Sequence, residues 1–203
     1  EMAYDIGAGT LSTLDRIAFS PSLLLPEDQQ RIRARFEAIA AADAALPLTL
    51  VFRHAGGPNA FALPDGTVVM TDELVYLADN DEQILSVLAH EVGHLHHRHA
   101  LRMALESSTM ALLISAYVGD AAQMSGIFAS LPTVYTQAHY SRSHETEADT
   151  FALDYMHSHG IALHHFADIL SKLEQKMGGG EHHEALDYWS SHPPTKERIA
   201  RFK

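Results

Sequence analysis

His90-Glu91-Val92-Gly93-His94 follows a run in which apolar residues recur at helical spacing, namely Ile84, Leu85, Val87 and Leu88. Two histidines four residues apart lie one above the other on a helix, with Cβ atoms about 5–6 Å apart. Both rings can therefore reach one tetrahedral Zn²⁺ at about 2.0–2.1 Å. Glu91 lies about 100° around the helix, where its carboxylate can take a proton from a metal-bound water. The stretch predicts a metal-binding helix.

A chance match is the alternative, because a helix rich in histidine from His90 to His99 also makes a solvated polar face. The surrounding residues favour the metal site. Asn80 can cap the start of the helix, and Gln83 three residues later completes a pair that resembles a capping box. The apolar residues give the helix a buried side, so the motif falls in the setting that its chemistry requires.

The composition is typical of a globular chain. With 203 residues, 46% of them hydrophobic, the chain is long enough to bury a core. We expect one domain over 1–203, with an N-terminal arm and helix at 1–45 and a catalytic core at 46–203. A formal charge of −12 argues against nucleic acid as a main partner, because phosphate contacts need a basic surface. Cysteine is absent, so histidine and carboxylate are the expected zinc ligands.

The first half of the chain predicts a helix followed by a small sheet. We expect an arm packed on the domain at 1–25 and, from apolar spacing and alanine content, a helix at 27–45. Residues 48–52 predict a strand, and the segments 59–63 and 67–71 predict a hairpin around a Pro-Asp-Gly turn. A further helix is expected from about residue 72. A free sheet edge beside the metal helix can take an extended peptide through main-chain hydrogen bonds.

A second helix, expected over 132–159, supplies a candidate for the third metal ligand within residues 141–149. Glu145 and Asp149 are four residues apart and share a face, whereas Glu147 points about 200° away from Glu145. Glu145 can thus bind zinc while Asp149 reaches a ligand histidine and fixes its tautomer. The alternative for this stretch is a charged face in solvent. Two nearby histidines are rival ligands, His139 and His144.

The other histidines of this stretch are not expected to bind the metal. His97 shares the ligand face, where we expect it to support a ligand or contact the substrate, and we expect His96 and His99 in solvent. The metzincin spacing H-E-x-x-H-x-x-G-x-x-H is not met, because it needs glycine where His97 stands and histidine where Ala100 stands. The His182-His183 pair follows three glycines and predicts a flexible loop.

The weakly polar span 107–131 is the nearest approach to a membrane segment. Asp120 divides it into pieces shorter than the roughly 20 apolar residues of a spanning helix. We expect core helices there, with a flap or interfacial helix over the site as the alternative. The chain begins at Glu1 without a signal-peptide pattern, and we expect that a flanking segment has been removed. That segment and residues 107–131 are two candidate routes to membrane association.

Four motifs in order resemble the gluzincin metallopeptidases that include HtpX, the CAAX prenyl proteases and the BepA-like periplasmic proteases. The resemblance spans most of the chain, roughly from Leu48 to Arg198. Its motifs are the edge strand Asn59-Ala60-Phe61, the H-E-x-x-H of residues 90–94, the E-x-x-A-D of residues 145–149, and His192-Pro193-Pro194 followed by Arg198. Unlike HtpX and the prenyl proteases, the sequence lacks clear membrane spans.

The resemblance implies an α+β, mainly helical zincin-type metallopeptidase domain with a small mixed β-sheet bordering the active-site cleft. It implies one Zn²⁺ per chain, held by His90, His94 and Glu145. Glu91 would be the catalytic base, and Asp149 would be the partner of His90.

Two further pieces of the resemblance imply contacts with the substrate. The edge strand Asn59-Ala60-Phe61 would bind it, and His192 and Arg198 would stabilise the transition state. His192 has a second open role, because a neutral imidazole with a reference pKa of about 6.5 can fill the open position of zinc and keep the enzyme latent. Its segment, 178–194, is rich in glycine, histidine and proline, which suits a mobile loop. The simpler alternative is that His192 caps or packs the helix that starts near Thr195.

The expected activity is hydrolysis of peptide bonds in unfolded or misfolded proteins, as envelope quality control in the bacterial periplasm or at a membrane. Glu91 would remove the proton of a zinc-polarised water and return it to the leaving amine. The oxyanion would rest on zinc, aided by His192 or Arg198. The alternative is a chaperone or adaptor that grips extended chains on its strand edge and cleaves seldom.

Overall fold

Helices predominate and surround a four-stranded sheet in the computed structural model, which describes residues 2–42, 47–103, 105–106, 140–177, 188, 192 and 196–203. The named elements, in chain order, are α1 (Met2–Ile17), β1 (Ser20–Pro21), α2 (Pro26–Ala42), β2 (Thr49–His54), β3 (Ala60–Ala62), β4 (Thr67–Thr71), α3 (Asp72–Leu77), α4 (Asp81–His96), α5 (Arg142–Ser158), α6 (His164–Met177) and α7 (Lys196–Arg201).

The sheet is mixed, with the strand order β1-β2-β4-β3. β2 and β4 run parallel, while both outer pairs are antiparallel. The predicted hairpin is confirmed, since β3 and β4 pair across a turn in which Gly66 has a φ of 91°. A Cβ at Gly66 would also lie 2.5 Å from the carbonyl oxygen of Pro47, so both space and backbone conformation require glycine. β3 is left at the edge of the described sheet.

The helix α4 begins where the sequence predicts. Asn80 caps it, and its Oδ1 accepts a hydrogen bond from the Gln83 backbone N–H at 3.0 Å. The Gln83 side chain accepts from the backbone N–H of Asp79 at 2.9 Å, one residue earlier than in a standard capping box. Every residue from Gln83 to Leu95 is buried. The helix therefore runs through the centre of the molecule.

The main core packs around α4 and joins distant parts of the chain. Buried side chains from α2, the sheet, α5, α6 and the C-terminal residues share it, among them Ile32, Met70, Leu88, Met156, Phe166 and Phe202. A smaller cluster of Leu14, Phe19, Leu63 and Val69 fixes the end of α1 to the sheet. Because α4 is buried on all sides, its polar side chains lie in a dry interior, where they require polar or charged partners.

Two predicted elements differ in extent. The expected N-terminal arm is mostly the helix α1, whose packing onto the sheet outweighs the helix penalty of Gly7 and Gly9, about 1 kcal/mol each. The helix expected from residue 132 starts at Arg142, because Ser141 is its N-cap and accepts from the His144 backbone N–H at 3.2 Å.

Some predictions fall outside the described residues. These are the membrane-like span 107–131, the start of the long helix at 132–139 and the His182-His183 pair. Within the part of the chain that the structure describes, no helix combines the length and apolar character needed to cross a membrane.

Candidate metal centre

The two histidines of α4 lie one turn apart and point to the same place. Both side chains are buried, and the Nε2 atoms of His90 and His94 are 3.0 Å apart. Two imidazole nitrogens this close need either a shared proton or a shared cation between them. The helical spacing of the sequence thus produces the predicted pair of donors.

α5 brings Glu145 to the same point. Its Oε1 lies 3.3 Å from His94 Nε2, and its Oε2 lies 3.6 Å from His90 Nε2. The approach depends on Gly93, because a Cβ there would be 2.9 Å from both the Cα and the carbonyl oxygen of Ala148 on α5. Backbone contact between the two helices therefore sets how near the carboxylate comes to the histidines.

His192 completes the cluster from the C-terminal part of the chain. Its Nδ1 lies 3.1 Å from Glu145 Oε1 and 3.4 Å from His90 Nε2. Each of the four side chains is buried and offers one donor atom to a common point. His144, one of the rival ligands, does not belong to this cluster of described residues, and His139 lies outside the described residues.

The four donors fit a zinc ion. Ligand atoms at about 2.0–2.1 Å from a tetrahedral ion are about 3.3–3.4 Å from one another. The donor separations of 3.0 to 3.6 Å lie around that value. Three imidazole nitrogens and one carboxylate are also ligands that zinc accepts.

Asp149 holds His90 in a suitable tautomer. Its Oδ1 lies 3.0 Å from Nδ1 of that ring, which favours the proton on Nδ1 and leaves the Nε2 lone pair toward the cluster. Burial opposes ionisation of Asp149, but His90 and Arg198 outweigh it and lower its pKa to about 2. The carboxylate is therefore ionised at neutral pH.

Arg198 connects two carboxylates of the site. Its Nε and Nη2 both donate to Asp149 at 2.8 Å, and its Nη1 lies 2.5 Å from Glu145 Oε2. The guanidinium is buried, so this fork–fork pair is shielded from water and geometrically specific. The contacts place Arg198 behind the donors, where it orients Glu145 and Asp149.

Glu91 is a fully buried carboxylate beside the donor cluster, and its pKa is raised. Burial raises its pKa to about 8, the negative charge of Glu145 adds to the rise, and His192, Arg198 and the backbone amide of Ala62 oppose it. Its Oε1 lies 3.4 Å from His192 Nε2. A base with a pKa near neutral pH suits proton transfer. A cation beside Glu91 would bring this raised pKa back down.

The edge strand borders this carboxylate. Ala62 of β3 acts on Glu91 through its backbone amide, so the strand and this carboxylate are neighbours. Of the predicted substrate-binding residues, Asn59 and Ala60 are buried and Phe61 is half-buried. Of these three residues, Phe61 therefore has the most accessible side chain.

The prediction that His96 and His99 are both solvated is wrong for His99, which is fully buried. α4 ends at His96, and Arg98 takes a φ of 54°, so the chain turns and directs His99 back toward the cluster. Its Nδ1 is 2.9 Å from His94 Nδ1, and its Nε2 is 2.8 Å from Glu147 Oε2. No local pattern signals this turn.

Two aromatic rings near the cluster were also not predicted. Tyr140 stacks on His94 with ring centroids 3.9 Å apart, and Tyr188 stacks on His192 with centroids 4.5 Å apart. Burial raises the pKa of Tyr188 well above its usual value, which keeps the phenol neutral. The two rings restrict the orientation of the imidazoles that they cover.

Comparisons with known proteins agree with this geometry. A model of the family described as "Peptidase family M48" matches residues 26–203. The metalloprotease YcaL of Escherichia coli K12 is 33% identical over 149 residues, which cover 71% of this chain and 57% of YcaL. The mitochondrial metalloendopeptidase OMA1 of Arabidopsis thaliana is 31% identical over 144 residues, covering 69% of the chain and 28% of OMA1.

A third relative is the beta-barrel assembly-enhancing protease of Escherichia coli K12, which is 28% identical over 153 residues, or 70% of this chain and 31% of that protein. In all three comparisons the chain spans less than two thirds of the relative's length.

Proposed function

This chain belongs to peptidase family M48, and on that premise we propose that it is a zinc-dependent endopeptidase that cleaves unfolded or misfolded polypeptides. The observation that carries the proposal is the convergence of four buried donors beside a buried carboxylate of raised pKa. Hydrolysis at such a centre needs a group that can take a proton from the attacking water. Glu91 can fill that role, and the edge strand β3 is next to it through the backbone amide of Ala62.

The proposed ligands of zinc are His90, His94 and Glu145, with one ion per chain. Zinc, when bound, supplies Lewis-acid polarisation of a water and of the scissile carbonyl. Glu91 accepts the proton of that water and returns it to the leaving amine. Asp149 holds the tautomer of His90.

His192 and Arg198 have different proposed roles. The Nδ1 of His192 occupies the place of a fourth donor, and a zinc site closed by four protein ligands is typical of a structural centre. We therefore assign His192 to a latent state in which it must leave before a substrate carbonyl enters. Arg198, whose donors are directed at Asp149 and Glu145, acts by positioning those carboxylates.

The preference for unfolded chains follows from the edge strand. A peptide that adds to β3 must be extended and must expose its own backbone N–H and C=O groups. Folded proteins keep these groups in their own secondary structure. Unfolded or misfolded segments therefore meet the requirement.

The proposed setting is quality control in the bacterial envelope, in the periplasm or at a membrane. It is supported by the similarity to a protease named for enhancing β-barrel assembly. The relatives are longer than the aligned chain, so the proposal concerns the proteolytic activity of this domain in that compartment.

A metal-depletion experiment tests the function. The purified chain should cleave unfolded casein, lose that activity when 1,10-phenanthroline removes zinc, and regain it when one equivalent of zinc is returned. A tightly folded protein of similar size is the matched substrate and should remain uncut. Casein that is bound but not cleaved, both by the zinc-loaded chain and by its His192→Ala variant, would favour the chaperone or adaptor alternative.

A further inference from the structure

His94, the second proposed zinc ligand of α4, has hydrogen-bonding partners that the sequence did not predict. His94 Nδ1 faces His99 Nδ1 at 2.9 Å, and His99 Nε2 faces the Glu147 carboxylate at 2.8 Å. His94 and His99 are both buried. The three groups form one line of hydrogen bonds that runs from the surface of α5 to the metal cluster.

The protons in this line can be placed from its chemistry. Glu147, also paired with Arg102 at 3.0 Å, is an acceptor, so the Nε2 of His99 carries the proton between them. A neutral His99 then has a lone pair on Nδ1. Among the described residues, the group that faces this lone pair is Nδ1 of His94 at 2.9 Å, so its N–H donates there, which leaves the Nε2 lone pair of His94 toward His90 and Glu145.

We propose that His99 and Glu147 are positioning residues that hold His94 in the tautomer and orientation required to bind the metal. The inference rests on the proposed ligand set. Each ligand histidine of α4 would then be oriented by a carboxylate of α5, His90 directly by Asp149 and His94 through the His99 ring. Carboxylate support of a ligand imidazole fixes its tautomer and raises its basicity.

A second metal ion is the competing explanation, since His97, His99 and Glu147 also form a group that could hold one. Two observations favour the relay. His97 Nδ1 lies 3.9 Å from Glu147 Oε2, wider than the about 3.3–3.4 Å edge of a tetrahedral zinc site. Arg102 already places a positive charge at the Glu147 oxygen that a metal would need.

Zinc affinity measured with a competing chelator tests the relay. His99→Ala should weaken zinc binding by about 10–100-fold, the usual effect of removing an outer partner of a metal ligand. His99→Gln should restore most of the affinity, because its amide can accept from His94 and donate to Glu147. His96 is exposed and lies close to His99 in the sequence. His96→Ala is therefore the matched control and should leave the dissociation constant for zinc unchanged.

A readout without metal separates the relay from a general structural role. In the metal-free protein, ¹⁵N NMR of the imidazoles should show that Nδ1 of His94 carries a proton in the wild type and in His99→Gln. A mixture of tautomers is expected in His99→Ala. Glu147→Ala, which alters a half-exposed side chain and spares the core, should shift tautomer and affinity in the same direction by a smaller factor.

Several results would overturn the inference. One is a folded His99→Ala protein in which the zinc affinity or the His94 tautomer is unchanged. If that variant does not fold, the same result in Glu147→Ala overturns the inference. Another is a second zinc per chain that is lost in His97→Ala. A wrong ligand set would give a different result. If His94 does not bind the metal, His94→Ala would keep its zinc.

Discussion

At the scale of single residues, the site buries more carboxylates than guanidinium groups. Three buried carboxylates, Glu91, Glu145 and Asp149, face one buried guanidinium, that of Arg198. Buried charges are strongly unfavourable unless they are paired. A divalent cation at the donor cluster would supply further positive charge and favour ionisation of Glu91, whose pKa burial raises to about 8. This is a physical reason for the arrangement beyond the resemblance of its motifs.

Asp149→Ala tests the support of His90. Zinc should be retained but with an affinity about 10–100-fold lower, because the ligand loses the group that fixes its tautomer. Chelator competition measures the dissociation constant. Asp154→Ala, on an exposed part of the same helix, is the matched control and should bind zinc as the wild type does. An unchanged dissociation constant in Asp149→Ala would show that Asp149 does not support His90.

His192→Ala distinguishes a latent ligand from a catalytic group. Burial alone would lower the pKa of His192, but Glu91 and Glu145 outweigh it and raise that pKa, so the ring is strongly attracted to the carboxylates of the site. Its removal should free a coordination position and increase cleavage of casein at equal zinc occupancy. Lower activity in the variant would reject the latent state and favour a role in the transition state.

At the scale of secondary-structure elements, the contact between α4 and α5 places the proposed ligands. The two helices touch at Gly93 and Ala148, and they contribute His90, His94 and Glu145 to the donor cluster. A glycine inside a helix normally lowers stability by about 0.5–1 kcal/mol relative to alanine. Glycine is nevertheless required at position 93, because a side chain there would push α4 and α5 apart.

Gly93→Ala should therefore destabilise the protein although alanine favours helices. We expect the free energy of unfolding to fall by about 1–2 kcal/mol, since overpacking costs about 1–3 kcal/mol and the gain in helix propensity offsets up to about 1 kcal/mol. Urea denaturation of the metal-free protein measures it. Gly9→Ala in α1 is the control, because a Cβ there meets nothing within 4 Å, and stability should rise or stay equal. A more stable Gly93→Ala protein would contradict the close contact.

The elements that the sequence predicts well are those whose signals are local. α4 has its cap, apolar spacing and ligand pair within residues 80–94, and the hairpin has a turn that needs Gly66. α1 was missed because its stability comes from Leu14 packing on residues far along the chain. The burial of His99 was missed for a similar reason, because it depends on the turn at Arg98 and on a carboxylate from α5.

At the scale of the whole molecule, a metal would join parts of the chain that are distant in sequence. The four donors come from α4, α5 and the C-terminal part, and His90 and His192 are 102 residues apart. A ligand that binds the folded state alone stabilises it by mass action. Metal binding should therefore stabilise the entire fold and not the site alone.

Thermal unfolding with and without zinc tests this coupling. At a free zinc concentration 100 times the dissociation constant, the free energy of unfolding should rise by about 2.7 kcal/mol. Glu145→Ala should abolish the increase, while Glu174→Ala, on an exposed part of α6, should preserve it. An equal zinc-dependent shift in a folded Glu145→Ala protein would place the third ligand elsewhere.

The central claim is that one zinc held by α4 and α5 serves Glu91 in peptide hydrolysis, and Glu91→Gln tests it most directly. Gln has nearly the shape of Glu but cannot accept the proton of the attacking water. Zinc content and casein cleavage should be measured on the same preparation. We predict one zinc per chain, as in the wild type, with unchanged casein binding and cleavage reduced by about 10²–10⁴-fold. Cleavage at the wild-type rate by zinc-loaded Glu91→Gln would contradict the claim.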